Sequence, residues 1–152
     1  MIRDAAADRV LARLDSLAGA GRAAFAEDAM GVLAEELDHF DWVGVYWIDG
    51  DELRLGPYVG APTEHDRIPV GRGVCGTAVA ENANQVIPDV RELENYLACS
   101  AATRSEIVVL IRDAAGAVLG QIDVDGHAVG AFDESDERLL AAVAARIAER
   151  GP

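Results

Sequence analysis

Val10, Leu14 and Leu17 recur at helical spacing among Arg and Asp residues, so residues 3–18 are predicted to form an amphipathic helix. Gly19-Ala20-Gly21 ends it, and Phe25, Ala29, Leu33 and Leu37 set out a second helical stripe running to about residue 38. At Trp42 the period changes. Trp42 to Ile48 is aromatic and β-branched, Asp49-Gly50 is a hairpin turn, and Leu53 to Val59 is the partner strand. A loop over 60–66 leads to a short strand, Arg67 to Val70, and the turn Gly71-Arg72-Gly73 opens a helix over 74–83. Gln85 to Ile87 reads as one more strand, and 88–104 as irregular. Glu106 to Arg112 and Ala117 to Asp125 form a second hairpin around Asp113-Ala114-Ala115-Gly116. Asp133 caps a final helix whose buried stripe is Leu139, Leu140, Val143 and Ile147. Hairpin-joined strands make an antiparallel sheet, and helices from both ends of the chain can cover one face of it. The expected class is α+β, a single domain over 1–152, with a ligand pocket on the other face.

Composition narrows the function. Half the residues are hydrophobic (51%) and 26% are charged, so the chain can bury a core without a disulfide or metal staple. The charge is one-sided: 27 Asp and Glu face 13 basic residues, giving a net charge of −14. That field repels phosphate backbones and anionic lipid, which argues against nucleic acid or a membrane surface as partner. Two cysteines are too few for a secreted disulfide framework and point to a reducing compartment. The first residues carry no apolar signal core, so the expected location is cytoplasmic.

Two strands carry candidate chemistry. Alternation puts Trp42, Gly44 and Tyr46 on one face of the first strand, where a glycine between rings either leaves a walled gap or marks a tightly packed core. In Gln121-Ile122-Asp123-Val124-Asp125 the two carboxylates share a face, roughly 6.5–7 Å apart. They either titrate as an interacting pair or lie on a solvated strand. Glu106 opens a strand of β-branched residues and Leu. By itself it reads as a solvated strand end; across a hairpin from Asp123 and Asp125 it would complete a three-carboxylate cluster.

The cysteines differ in setting. Cys75 follows Gly71-Arg72-Gly73 at a helix start, where backbone N–H dipoles and Arg72 favour a thiolate, or else it is a small buried hydrophobe. Cys99 stands in a loop before Ser100-Ala101-Ala102, small residues that leave it accessible. His39, His65 and His127 are isolated, with the expected roles of surface or loop residues, and neither Cys-x-x-Cys nor His-x-x-x-His spacing occurs. No metal site is expected, nor a phosphate loop: Gly71-Arg72-Gly73-Val74-Cys75-Gly76 lacks the lysine and the preceding βα context.

The segments Asp41-Trp42-Val43-Gly44-Val45-Tyr46, Arg67-Ile68-Pro69-Val70-Gly71-Arg72-Gly73-Val74-Cys75-Gly76-Thr77-Ala78, Ala98-Cys99-Ser100-Ala101, Ser105-Glu106-Ile107-Val108 and Ile122-Asp123-Val124-Asp125 together resemble the free methionine-(R)-sulfoxide reductases, stand-alone GAF domains. The resemblance implies that Cys99 attacks the sulfoxide sulfur, releases methionine and is left as a sulfenic acid. It implies that Glu106, Asp123 and Asp125 bind the sulfoxide and the substrate's ammonium, with Trp42 and Tyr46 around its methyl end. No metal or organic cofactor is implied. Electrons would come from a thioredoxin-like dithiol, and the family suggests a homodimer.

One position departs from the family pattern. His65 stands where a third, resolving cysteine is usual, ten residues before Cys75. Either Cys75 takes over as resolver or an external thiol attacks the sulfenic acid, and a helix start gives Cys75 little freedom, so slow recycling is expected. Two other readings fit the same residues: a GAF sensor that binds a small ligand, and a cysteine redox sensor without turnover.

Overall fold

The structure, a computed structural model, describes residues 4–17, 21–93, 96 and 101–152. Helices α1 (Asp4–Asp15) and α2 (Arg22–Glu36) come first, followed by the hairpin β1 (Trp42–Asp49) and β2 (Glu52–Val59). Strand β3 (Arg67–Pro69), helix α3 (Gly73–Glu81) and strand β4 (Gln85–Ile87) lead to the second hairpin, β5 (Ser105–Arg112) and β6 (Val118–Gly126), and helix α4 (Glu134–Glu149) closes the chain. The strands form one antiparallel six-stranded sheet in the order β3-β2-β1-β6-β5-β4. The second half of the chain thus inserts β6 beside β1, bringing the two hairpins edge to edge.

The predicted elements are all present, with shifted ends. Helix α2 stops at Glu36, two residues early, because Leu37 already has extended backbone while its N–H still bonds the Leu33 carbonyl. In the stretch read as irregular, a 3-10 turn over Val90–Glu92 is capped by the Asp89 carboxylate, which accepts from the Arg91 N–H. Asp133 caps α4 as expected, and Asp136 completes a capping box by accepting from the Asp133 N–H.

Each strand divides its residues between two layers. Val43 and Val45 of β1, Ile107, Val109 and Ile111 of β5, and Ile122 and Val124 of β6 pack beneath α1, α2 and α4 in a continuous apolar core. The alternate residues, Trp42, Tyr46, Val108 and Leu110, face a smaller cluster under α3 with Leu53, Ile68, Val74, Cys75 and Ala78. Among the described residues no helix is long and apolar enough to cross a membrane.

Candidate active site

The α3 face of the sheet is a grid set by strand register. Trp42 pairs with Asp125, and Asp125 with Glu106, making one row; Glu106 pairs with Ile87 at the β4 edge. The next row runs Tyr58, Gly44, Asp123, Val108, and the third Leu55, Tyr46, Gln121, Leu110. Directly opposed side chains on an antiparallel pair stand about 4.5–5.5 Å apart at Cβ, so Asp125 and Glu106 are neighbours, with Asp123 one row deeper.

All three carboxylates are buried. Glu106 is 3% exposed, Asp123 0% and Asp125 1%, which corrects the reading of Glu106 as a solvated strand end and of the aspartates as a solvated face. The cause is α3, whose Val74, Cys75 and Ala78 lie over this part of the sheet. The Cys75 thiol donates to Glu106 Oε2 at 3.9 Å, and one donor atom each from Cys75, Glu106 and Asp123 lie within 4.8 Å of one another. Both Asp123 oxygens are buried without a direct hydrogen bond. Burial pushes the Asp123 carboxyl above the usual carboxylate range; its polar interactions with the neighbouring Glu106 carboxyl and Cys75 thiol pull it part of the way back.

Of the two settings read for Cys75, the structure shows the buried one: the residue lies in the first turn of α3, Arg72 is exposed, and the sulfur faces Glu106. Its carbonyl accepts from Gln121 Nε2 at 3.1 Å, which fixes the start of α3 to β6. Cys99 lies outside the described residues.

At the aromatic positions the structure shows the tightly packed alternative: a Cβ at Gly44 would come within 2.5 Å of the Trp42 ring, which lies over the glycine. An indole can lean along its strand over a residue two positions on because both face the same way. Trp42 stacks on Tyr58 with centroids 5.4 Å apart, donates from Nε1 to the Ala61 carbonyl at 3.0 Å, and packs against Gly60, whose positive φ of 139° turns the loop over it. Tyr46 is fully buried, and its hydroxyl donates to the His65 carbonyl at 2.8 Å. The two rings thus tie down the 60–66 loop.

Histidine placement also departs from the sequence reading. His65, expected in a solvated loop, is half-buried and lines a cavity of about 10 Å³ together with Ile68, Cys75 and Glu106. His39 bonds the fully buried Asp136 at 2.6 Å and packs against Phe40 and Phe132; His127 remains exposed. A larger cavity, about 290 Å³, lies alongside between α3 and β4, lined by Gly73, Val74, Thr77, Ile87 and Leu93. Sequence spacing also missed that a thiol and two carboxylates converge, because the donors come from three separate elements.

A GAF domain model matches residues 3–150. The free methionine-R-sulfoxide reductase of Escherichia coli is 41% identical over 116 residues, which are 76% of this chain and 69% of that protein. Among solved structures, the free methionine-R-sulfoxide reductase of Neisseria meningitidis in complex with its substrate is 33% identical with a TM-score of 0.85, over 99% of this chain and 92% of that one. The type II free methionine-R-sulfoxide reductase of Thermoplasma acidophilum is 36% identical with a TM-score of 0.80, over 84% and 89%. Fold, buried acid cluster and sequence agree: the chain is a GAF domain and belongs to the free methionine-R-sulfoxide reductase family.

Proposed function

We propose that this protein reduces free methionine-(R)-sulfoxide to methionine. The observation that carries this reading is the Glu106–Asp123–Asp125 cluster, buried beside a thiol on the α3 face. A group of buried carboxylates suits a substrate ammonium, and the sulfoxide oxygen needs acids to leave as water. Asp123, with its carboxyl raised by burial, holds a proton at a pH where an ordinary Asp has lost it, and is the proton donor to that oxygen. Glu106 and Asp125, in the outer row next to Trp42, take the ammonium.

Cys99 is the nucleophile. Its sulfur bonds to the sulfoxide sulfur, methionine leaves with the sulfur electron pair, and the oxygen ends on Cys99 as a sulfenic acid. The sulfenic acid then condenses with a second thiol, forming a disulfide and releasing water. That thiol is Cys75, whose sulfur already belongs to the acid cluster where the substrate reacts. Counting free thiols after one equivalent of substrate decides between slow recycling, which the fixed helix start implies, and fast recycling, which the place of Cys75 in the cluster implies. A thioredoxin-like dithiol reduces the Cys75–Cys99 disulfide.

The test is methionine release from each sulfoxide epimer, with dithiothreitol as electron donor. Release from the R epimer of the free amino acid, and none from the S epimer, is the expected result. Ligand binding without release would favour a sensor.

A further inference from the structure

We propose that Cys75, Glu106 and Asp123 form a three-donor binding site for a borderline divalent cation of zinc's chemistry, with solvent in the fourth position, and that the cation competes with substrate for the cluster. Only the competition rests on the reductase reading; the binding does not.

Three observations carry it. The first is donor spacing. Zinc–sulfur and zinc–oxygen bonds of about 2.3 and 2.1 Å at a tetrahedral angle hold the two donors about 3.6 Å apart. Cys75 Sγ and Glu106 Oε2 stand 3.9 Å apart, with an Asp123 oxygen inside 4.8 Å of both. The second is Asp123 itself: it is fully buried and neither oxygen has a hydrogen bond of good geometry, so the charge it takes on when it gives up its proton is buried beside Glu106 and Cys75. Buried charge of that kind is costly unless it is paired or binds a cation. The third is the cavity of about 10 Å³ beside Cys75 and Glu106, which has room for one ion; His65 also lines it, though its imidazole is not among the converging donors.

The donor set selects the ion. One sulfur and two carboxylate oxygens, with solvent in the fourth position, suit a borderline cation with four ligands, whereas calcium wants six to eight oxygens and magnesium an octahedral shell with several waters. A cavity of about 10 Å³ admits one ion or water but no hydrated cluster. On binding, Cys75 gives its thiol proton to solvent and the thiolate coordinates; no oxidant or reductant is involved. The exposed Arg72 also lines this cavity, and its charge opposes the cation. A bound ion would occupy both the carboxylates needed for substrate and the thiol needed for recycling. The site is thus an inhibitory one, by which free zinc would hold the enzyme off while its thiol is protected from oxidation.

The experiment titrates the reduced, metal-free protein with Zn²⁺ against a chromophoric chelator. One equivalent should bind. Cys75→Ser and Glu106→Gln should each weaken binding at least about tenfold, the low end for losing even an outer-shell partner of a metal. Arg72→Ala should tighten it. Co²⁺ added to Cys99→Ser should retain a sulfur-to-cobalt charge-transfer band, since the coordinating thiolate is that of Cys75. Loss of that band in Cys99→Ser, undiminished affinity in Cys75→Ser, or no stoichiometric binding at all would each overturn the site. Should Cys75→Ser not fold, the isosteric Glu106→Gln decides: unchanged affinity there removes the site. Methionine release measured in parallel should show Zn²⁺ raising KM and leaving kcat unchanged. Turnover without Zn²⁺ binding overturns this inference alone, while Zn²⁺ binding without turnover overturns the reductase reading alone.

Discussion

The two faces of this sheet are made by the same strands, one residue out of step, and they differ in how completely they are satisfied. Under α1, α2 and α4, Val43, Val45, Ile107, Val109, Ile122 and Val124 fill an apolar layer in which no side chain needs a polar partner. Under α3, the neighbours of those residues include three buried carboxylates, a glutamine and a thiol, and Asp123 and Gln121 each keep a buried oxygen with no hydrogen bond. The first face is what a stable sheet requires. The second is less stable than it could be, and residues held against that penalty are poised for a ligand that relieves it.

The largest expected effects set the faces apart by activity. Cys99→Ser should abolish methionine formation in a single turnover, while Cys75→Ser should still yield one equivalent, because only recycling needs the second sulfur. Glu106→Gln, Asp123→Asn and Asp125→Asn should each lower kcat/KM by about 10²-fold or more, the scale for losing a positioned acid. Rapid alkylation and intact mass after one equivalent of substrate should find both thiols consumed. If two of the three carboxylate variants keep wild-type rates, the α3 face holds no concerted acid cluster.

Stability should separate the faces the other way. Ile122→Ala leaves a cavity in the apolar layer and should cost about 2–5 kcal/mol in denaturant unfolding, with kcat/KM per folded molecule close to wild type. Its neighbour Asp123 should behave oppositely, losing activity and not stability. A large activity loss in folded Ile122→Ala would mean the two layers are coupled through β6.

Much of this division is legible in the sequence, since alternation alone puts Ile122 and Val124 opposite Asp123 and Asp125, and Val43 opposite Trp42 and Gly44. What alternation cannot say is what lies above a face. Glu106 and the aspartates read equally well as solvated because their cover, α3, comes from a separate segment. The one signal pointing to it was the apolar run of Gly73-Val74-Cys75-Gly76-Thr77-Ala78, too apolar for a helix with an exposed side. The filled gap at Gly44 and the position of His65 share a cause: both depend on how the 60–66 loop folds back on Trp42 and Tyr46, through backbone carbonyls that leave no trace in side-chain pattern.

A subtler effect is expected at Trp42. Trp42→Phe removes the Nε1 bond to Ala61 and part of the ring over Gly44. It should raise KM and weaken discrimination among sulfoxides by roughly 1–3 kcal/mol, the worth of a pocket contact, with kcat nearly unchanged. A fall in melting temperature with unaltered KM would make the indole purely a core residue.

The smallest effect tests the penalty itself, through pH. The Asp123 pKa is raised in the folded protein by burial above the ordinary value of 3.8, so across that interval the native state holds more protons than the unfolded chain. Stability then falls as pH rises from the unfolded value through the folded one, and above it the full cost of burying the anion is present. Asparagine carries no such titration. The difference in unfolding free energy between Asp123→Asn and wild type should therefore move in favour of the variant as pH increases, and flatten at acid pH where the wild-type carboxyl is protonated in both states. Urea unfolding at a series of pH values, without added divalent cations, measures it directly. A gap that is constant with pH would mean that Asp123 pays no ionisation cost in the folded state, and the contrast between the two faces would then rest on catalysis alone.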